Sequence, residues 1–408
     1  MTRPRWILHL QASFFRSLMS IGMFLHRRAS PSPPSPTFTR SLNTTVSPHP
    51  GRVKLHFYAP KGYDAHIKPH QRRRRSVVKR HLYPVVVNFH GGGFTLGHPT
   101  DDARWAAYVM SRVGAVVVSV DYRLAPKCPF PTAVEDGVDA MLWLADHATE
   151  LDLDIDRMAI SGFSSGGNMC FTVPLMLQEC LLYRAVSRRT AALSTLELEN
   201  GENVKVVDTI DAPTDTENSI VDPPTNTTTS MLNPPTNPSP STSTSSIAKD
   251  PTKIIITSPL ELNIRGVVAF YPPVDYTQSR AARRATCIRH DQHLPALFTN
   301  LFDRSYLYPP TLNKANAYLS PARASDDMLA ALPEEIVIVA AEWDMLVKET
   351  EKFRDRLAGE GGLGKKVKYW CVPGVPHAWD KAPNPFRETP GLAEWYGRSC
   401  DELKRILE

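Results

Sequence analysis

Two apolar runs in this chain end abruptly at glycines, and those two endings constrain its fold more than any other feature. Residues 85 to 94 read Val-Val-Val-Asn-Phe-His-Gly-Gly-Gly-Phe, and residues 161 to 167 read Ser-Gly-Phe-Ser-Ser-Gly-Gly. A β-branched, buried run that stops at glycine is how a parallel strand hands its backbone to a tight turn, because glycine takes the required conformations without steric cost. The chemistry of the chain is expected at these turns.

Gly162 to Gly166 fits G-x-S-x-G, in which a serine sits on a strained strand-to-helix turn with glycines making room for the neighbouring backbone. Ser164 is therefore the candidate nucleophile. The entering strand is expected over Leu153 to Ser161, with Met158, Ala159 and Ile160 as its apolar part. The following helix is expected over Asn168 to Tyr183, where Pro174 predicts a kink or a late start. The first turn supplies what a serine nucleophile needs. Attack on a carbonyl places negative charge on oxygen, and each backbone N–H aimed at it is worth roughly 2.7–4 kcal/mol. Gly92 and Gly93, with the N–H of Ser165, are the expected donors, Gly91 makes the turn and His90 braces the loop. The competing reading, a flexible hinge or phosphate-cradling loop, lacks the Lys-Ser/Thr or G-x-G-x-x-G spacing that phosphate sites require.

A serine nucleophile needs a base, and the base needs an orienting carboxylate. Ile336 to Ala341 is a short apolar strand running into Glu342-Trp343-Asp344, so Asp344 falls in the loop at a strand end. Val367 to Val372 reads as another strand, and His377 falls in the loop after it. The residues between hold one helix, Glu349 to Leu357, so both loops reach the same edge of a parallel sheet. Glu342 and Asp380 are competing acids. His98, His290 and His293 keep an ordinary structural reading.

Taken together, His90 to Gly93, the run from Asp121-Tyr122-Arg123-Leu124-Ala125-Pro126 to Glu135-Asp136, the elbow at Ser164, Tyr318-Leu319-Ser320-Pro321, Asp344 and His377 resemble the hormone-sensitive-lipase-like branch of the α/β-hydrolases. The set spans most of residues 51 to 408. Members often carry Asp before the serine and Ala after it, where this chain has Phe163 and Ser165. The resemblance implies an α/β fold with a mostly parallel central sheet, helices on both faces and a helical cap. It also implies hydrolysis of carboxylic esters through an acyl-enzyme, with short- or medium-chain acyl esters favoured. Alternatives on the same apparatus are a lipase or a deacetylase of sterol or secondary-metabolite acetates. An alternative of another class is a ligand-binding receptor on a dead scaffold, which predicts a missing triad member.

The other segments bear less directly on chemistry. Asp121 beside Arg123 suggests a pair that ties down its turn. Acidic Glu135 and Asp136 open a helix through Leu144. The chain carries 36 prolines, and residues 209 to 252 are so rich in Pro, Ser, Thr and Asn that a disordered insertion, starting near 190, is expected within the catalytic domain. Leu294, Phe298, Leu301, Phe302 and Tyr306 have the spacing of an amphipathic helix. The resemblance implies that this region and the N-terminal part make the cap, the alternative being ordinary core packing.

Net charge is +5, distributed unevenly: no Asp or Glu occurs in the first 63 residues, and Arg72 to Arg75 form a basic cluster. That cluster is expected at a solvated hairpin tip between strands at Val53 to Tyr58 and Tyr83 to Phe89, and no nucleic-acid partner is implied. Residues 1 to 50 are expected to be a targeting or anchor-like, Pro/Ser-rich segment preceding the catalytic domain. Trp6 to Leu25 is apolar but interrupted by His9, Gln11 and Arg16, too polar for a clear membrane span. An interfacial helix, a signal anchor or a mitochondrial transit peptide all fit, so the chain is expected to be cytoplasmic or membrane-associated, with a mitochondrial location open. The six cysteines are scattered without C-x-x-C spacing, which implies neither zinc site nor disulfide framework. No metal or organic cofactor is implied.

Overall fold

A computed structural model describes residues 4–29, 31–64, 81–200, 262–381 and 389–408. Two compact units divide the chain, Met1–Arg184 with Leu260–Glu408, and Ala185–Pro259. Of the second, residues 185–200 are described, as helix.

The first unit is built on an eight-stranded sheet. Its strands are β1 (Phe38–Asn43), β2 (Arg52–Tyr58), β3 (Tyr83–Phe89), β4 (Val116–Asp121), β5 (Leu153–Phe163), β6 (Ile264–Phe270), β7 (Glu335–Ala341) and β8 (Lys366–Val372). Their order is β1-β2-β4-β3-β5-β6-β7-β8. The β1–β2 and β2–β4 pairs are antiparallel, and every other pair is parallel. The central strands are near-continuous apolar runs because both faces are covered. Successive side chains alternate between faces, so Val85 and Val87 of β3 join Val138, Phe171 and Phe353 on one side. Val86 joins Trp105, Tyr396 and Leu403 on the other. The helices supplying these residues are α2 (Ala103–Arg112) and α9 (Leu392–Leu407) on the second face, and α3 (Thr132–Asp146), α4 (Ser165–Asn200) and α8 (Val347–Ala358) on the first. Each such side chain, fully buried, contributes roughly 1.5–3 kcal/mol. The remaining helices are α1 (Arg5–His26), α5 (Arg280–Ala285), α6 (Ala296–Tyr306) and α7 (Asp326–Ala330).

Several expectations need correction. The sheet begins before residue 51: β1 pairs with β2 from Phe38↔Phe57 to Asn43↔Arg52, so the expected N-terminal segment already contains core structure. Phe38 stacks on Phe57 at 4.4 Å, a packing partner invisible in a Ser/Thr-rich stretch. β2 and β3 do not form a hairpin, because β4 lies between them. The basic cluster between them lies outside the described residues. Pro174 does not delay or end α4, which starts at Ser165 and runs through it. The surrounding turns are packed against the sheet, and that burial overrides the proline's local preference. Residues 190–200, expected to begin a disordered insertion, are helical, and the remainder of that segment lies outside the described residues. Arg123 pairs with Asp136 rather than Asp121, at 2.7 Å with Nε also donating at 3.0 Å.

Candidate active site

β5 ends at Phe163, and the backbone must turn sharply to enter α4. Ser164 occupies the turn with φ of 53°, a left-handed conformation that a non-glycine residue adopts only under constraint. The constraint is local. Ser164 N donates to Phe270 O at 2.9 Å, and Asn168 N to Ser164 O at 3.0 Å. A Cβ on Gly162 would lie 2.3 Å from Gly166 O, and one on Gly166 would lie 1.9 Å from Phe89 O. Those contacts explain both glycines of the G-x-S-x-G pattern.

The acid and histidine loops are stitched to each other. Glu342 N donates to Val372 O and Trp343 N to Val375 O, each at 3.0 Å. Glu342, a competing acid on sequence, accepts from Gly374 N at 2.7 Å and so serves this seam. The result brings the three candidate residues into line. Ser164 Oγ lies 2.8 Å from His377 Nε2, and His377 Nδ1 lies 2.5 Å from Asp344 Oδ2. With the proton on Nδ1, the imidazole donates to Asp344 and accepts from the serine hydroxyl. Asp344 is buried, and its Oδ1 accepts from Leu346 N at 3.1 Å. Asp380, the other competitor, is taken up elsewhere: it accepts from Tyr271 Oη and Tyr396 Oη, both at 2.5 Å.

The glycine loop lies against the elbow. A Cβ on Gly91 would sit 3.5 Å from Ser164 Cβ. Gly92 and Gly93 take φ of 118° and 59°, and a Cβ on Gly93 would meet the Phe302 ring at 2.3 Å. Among the described residues the N–H groups of Gly92, Gly93 and Ser165 have no hydrogen-bond partner. His90 is buried beneath the loop, with Nδ1 2.7 Å from Gly91 O and its ring stacked on Tyr122 at 4.2 Å. Burial holds its pKa down at about 4, so it braces the loop as a neutral imidazole.

Ser164, His377 and Gly91 to Gly93 share a cavity of about 200 Å³. Its apolar walls include Leu294 and Phe302 of the segment containing α6, together with Met19 and Met23 of α1. α1 is seated by Arg16, whose guanidinium donates to Thr95 O at 2.8 Å and Ala125 O at 2.7 Å, and by Phe15 against Phe298 at 5.0 Å. The helical cap thus comprises α1 and the α6 region. Sequence reasoning missed the charged side of the cavity. Lys381 Nζ lies 2.7 Å from Asp102, 3.2 Å from Asp380 and 3.2 Å from the Phe163 ring centroid. Only Asp380 carried any signal, as a carboxylate near the histidine.

Comparison with known proteins agrees with this architecture. The profile of the alpha/beta hydrolase fold family matches residues 86–236 and 242–381, and the chain belongs to that family. It is 43% identical over 91 residues to Esterase LipI of Mycobacterium tuberculosis, covering 22% of this chain and 28% of that one. It is 38% identical over 91 residues to human hormone-sensitive lipase, covering 22% of this chain and 8% of that one. The matches to the first curated relatives span from 28% to 34% of those proteins' lengths. A Pyrobaculum calidifontis esterase structure superposes with a TM-score of 0.60 at 22% identity, covering 97% of this chain and 93% of that one, which supports the fold.

Proposed function

We propose that this chain is a serine hydrolase of carboxylic esters. The observation that carries the reading is the hydrogen-bonded series from Ser164 through His377 to Asp344, opening onto a cavity beside the glycine loop. In the proposed cycle Ser164 Oγ attacks the ester carbonyl and His377 Nε2 takes the hydroxyl proton. The oxyanion is held by the N–H groups of Gly92, Gly93 and Ser165. Collapse expels the alkoxide, which takes the proton from His377 and leaves an acyl-Ser164. Water then attacks with His377 again as base, returning the serine and releasing the acid. Asp344 keeps the imidazole oriented and offsets its charge while protonated. The names of the curated relatives, esterase and hormone-sensitive lipase among them, support the same reaction class.

The cavity's modest size and its Met, Leu and Phe lining favour short- and medium-chain acyl groups. The test is hydrolysis of p-nitrophenyl acetate, butyrate, octanoate and palmitate by the full chain and by Ser164→Ala. Activity that peaks at butyrate or octanoate and disappears in the variant supports the reading. Equal rates for the two proteins on every ester overturn it.

A second reading, that the ester is lipophilic and met at a lipid surface, rests on α1. Its inner side supplies Met19 and Met23 to the cavity, while Trp6, Leu10, Phe14, Leu18, Ile21 and Leu25 are each more than half exposed on its outer side. Arg27 and Arg28 accompany that apolar stripe at its end, and the helix carries no acid, the composition of a helix that lies on anionic lipid. Arg16, bonded to two backbone carbonyls at mid-helix, argues for lying on the surface rather than crossing it. Its part in the cavity wall argues for retention rather than removal as a transit peptide, and hence for a membrane-associated location. Vesicles of phosphatidylcholine with phosphatidylglycerol are expected to carry the chain on flotation and to blue-shift Trp6 emission, and Leu10→Ser with Phe14→Ser to abolish both. Failure of the unmodified chain to float removes this reading and leaves the soluble-ester one standing.

A further inference from the structure

His56, His98 and Asp121 are far apart in sequence and follow no metal-binding spacing, yet the fold gathers them. β2 and β4 pair with Lys54 opposite Asp121 and His56 opposite Ser119, so His56 and Asp121 are diagonal neighbours on one face of the sheet. His98 reaches the same place from the loop following the glycine turn, its ring 5.6 Å from that of His56. One ligand atom from each of the three residues lies within 4.8 Å of the other two.

His56 is the unexplained member. Its side chain is 8% exposed, and among the described residues neither ring nitrogen has a hydrogen-bond partner, although buried polar groups are normally paired. The Asp121 carboxylate likewise has no ion pair or hydrogen bond among the described residues, while Arg123 beside it is satisfied by Asp136. Thr100 engages His98 through Nδ1, with Oγ1 at 2.8 Å, which leaves Nε2 as the ligand atom.

We propose that His56, His98 and Asp121 bind one divalent ion of the zinc class, which fastens the outer end of the glycine loop to the sheet. Two imidazoles and a carboxylate are a known ligand set for this ion, with metal–ligand bonds of about 2.0–2.2 Å. Such bonds place ligand atoms roughly 3.3 Å apart in a tetrahedron, so the site contracts by at most ~1.5 Å on binding. The exposed His98 side chain can supply that movement. A fourth ligand would face the neighbouring cavity of about 540 Å³, where Arg27, Thr100 and Leu124 leave room for water. Lys54 and Arg27 nearby oppose the positive charge of the ion, so moderate rather than extreme affinity is expected. The mechanical consequence follows from Gly97, which packs so tightly that an added Cβ would lie 2.2 Å from Gly91 O. Holding His98 therefore holds the loop that carries Gly92 and Gly93.

The test uses the full chain stripped with chelator, titrated with Zn²⁺ in a calorimeter, and loaded with Co²⁺ for visible spectroscopy. One Zn²⁺ per chain is expected, with a rise in melting temperature. His98→Ala, at an exposed position that keeps the fold, and Asp121→Asn should each weaken affinity at least tenfold. The cobalt form should show d–d absorption without thiolate charge transfer. Absence of Zn²⁺ binding, affinity unchanged in both variants, or a thiolate band placing the ion on cysteine would overturn the proposal. None of these readouts depends on the ester reaction.

Discussion

Beneath the cavity, the loops carrying Ser164, Asp344 and His377 are held by backbone: Ser164 N bonds Phe270 O at the end of β6 at 2.9 Å, and Trp343 N of the acid loop bonds Val375 O of the histidine loop at 3.0 Å. Above it, α1 is attached by side chains, chiefly Arg16 on the carbonyls of Thr95 and Ala125 and Phe15 on Phe298. A floor held by main chain keeps its geometry when a reacting side chain is changed, because the turn does not depend on that side chain. A cap held by a few side chains shifts when one is lost. Substitutions in the floor should therefore act on kcat with little effect on binding, and substitutions in the cap should act on KM.

The largest test of that contrast is Ser164→Ala, expected to lower kcat by roughly 10⁶ while leaving the melting temperature within a few degrees. A large loss of stability would show that the elbow depends on its serine. Next, Asp344→Asn should cost roughly 10⁴ in kcat with KM nearly unchanged, as expected when the imidazole loses its orienting partner. A change in KM of similar size would mean that the seam between the loops had opened.

A smaller effect is expected from acid. Folding lowers the pKa of His90 from an ordinary value near 6.5 to about 4, so its contribution to stability is complete above pH 6.5 and is lost as pH falls through 4. The loss amounts to roughly 3 kcal/mol. Thermal melts between pH 7 and pH 4 should fall more steeply for the unmodified chain than for His90→Asn, which keeps a donor for Gly91 O. Parallel slopes would remove His90 as a source of acid sensitivity. Smallest of all, Arg16→Ala removes charge-assisted bonds worth about 1.5–3 kcal/mol, much of it on the cap. KM for p-nitrophenyl octanoate should rise about tenfold while kcat for the acetate holds, and an equal loss in both would tie α1 to the floor.

The same division decides what sequence could reveal. Ser164, Asp344 and His377 sit at strand ends where local pattern, an apolar run meeting glycine or a loop, announces position, and the strands bearing them were readable to within a residue or two. The glycines of the elbow were readable because steric exclusion leaves no other residue there. β1 was missed because an edge strand with one half-buried face has few apolar residues to mark it. The partner of Arg123 was misassigned because Asp121 is nearer in sequence, while Asp136 becomes near only once α3 packs. Asp102 and Lys381 meet for the same long-range reason, and so do His56, His98 and Asp121. For α1 the sequence left a targeting segment, an anchor, an interfacial helix and part of the cap all open, because its apolar residues circle the helix and only its contacts separate an inner side from an outer one.

Placement of α1 ahead of the residues it docks on has a consequence for its synthesis. Arg16 precedes its acceptors at Thr95 and Ala125 by 79 and 109 residues, and Phe15 must wait longer for Phe298. A ribosome adding roughly 5–20 residues each second would leave this helix without its docking surface for many seconds. Throughout that interval Trp6, Phe14 and the methionines destined for the cavity are open to chaperones or lipid, so a segment made well before its partners is among the last to find its place.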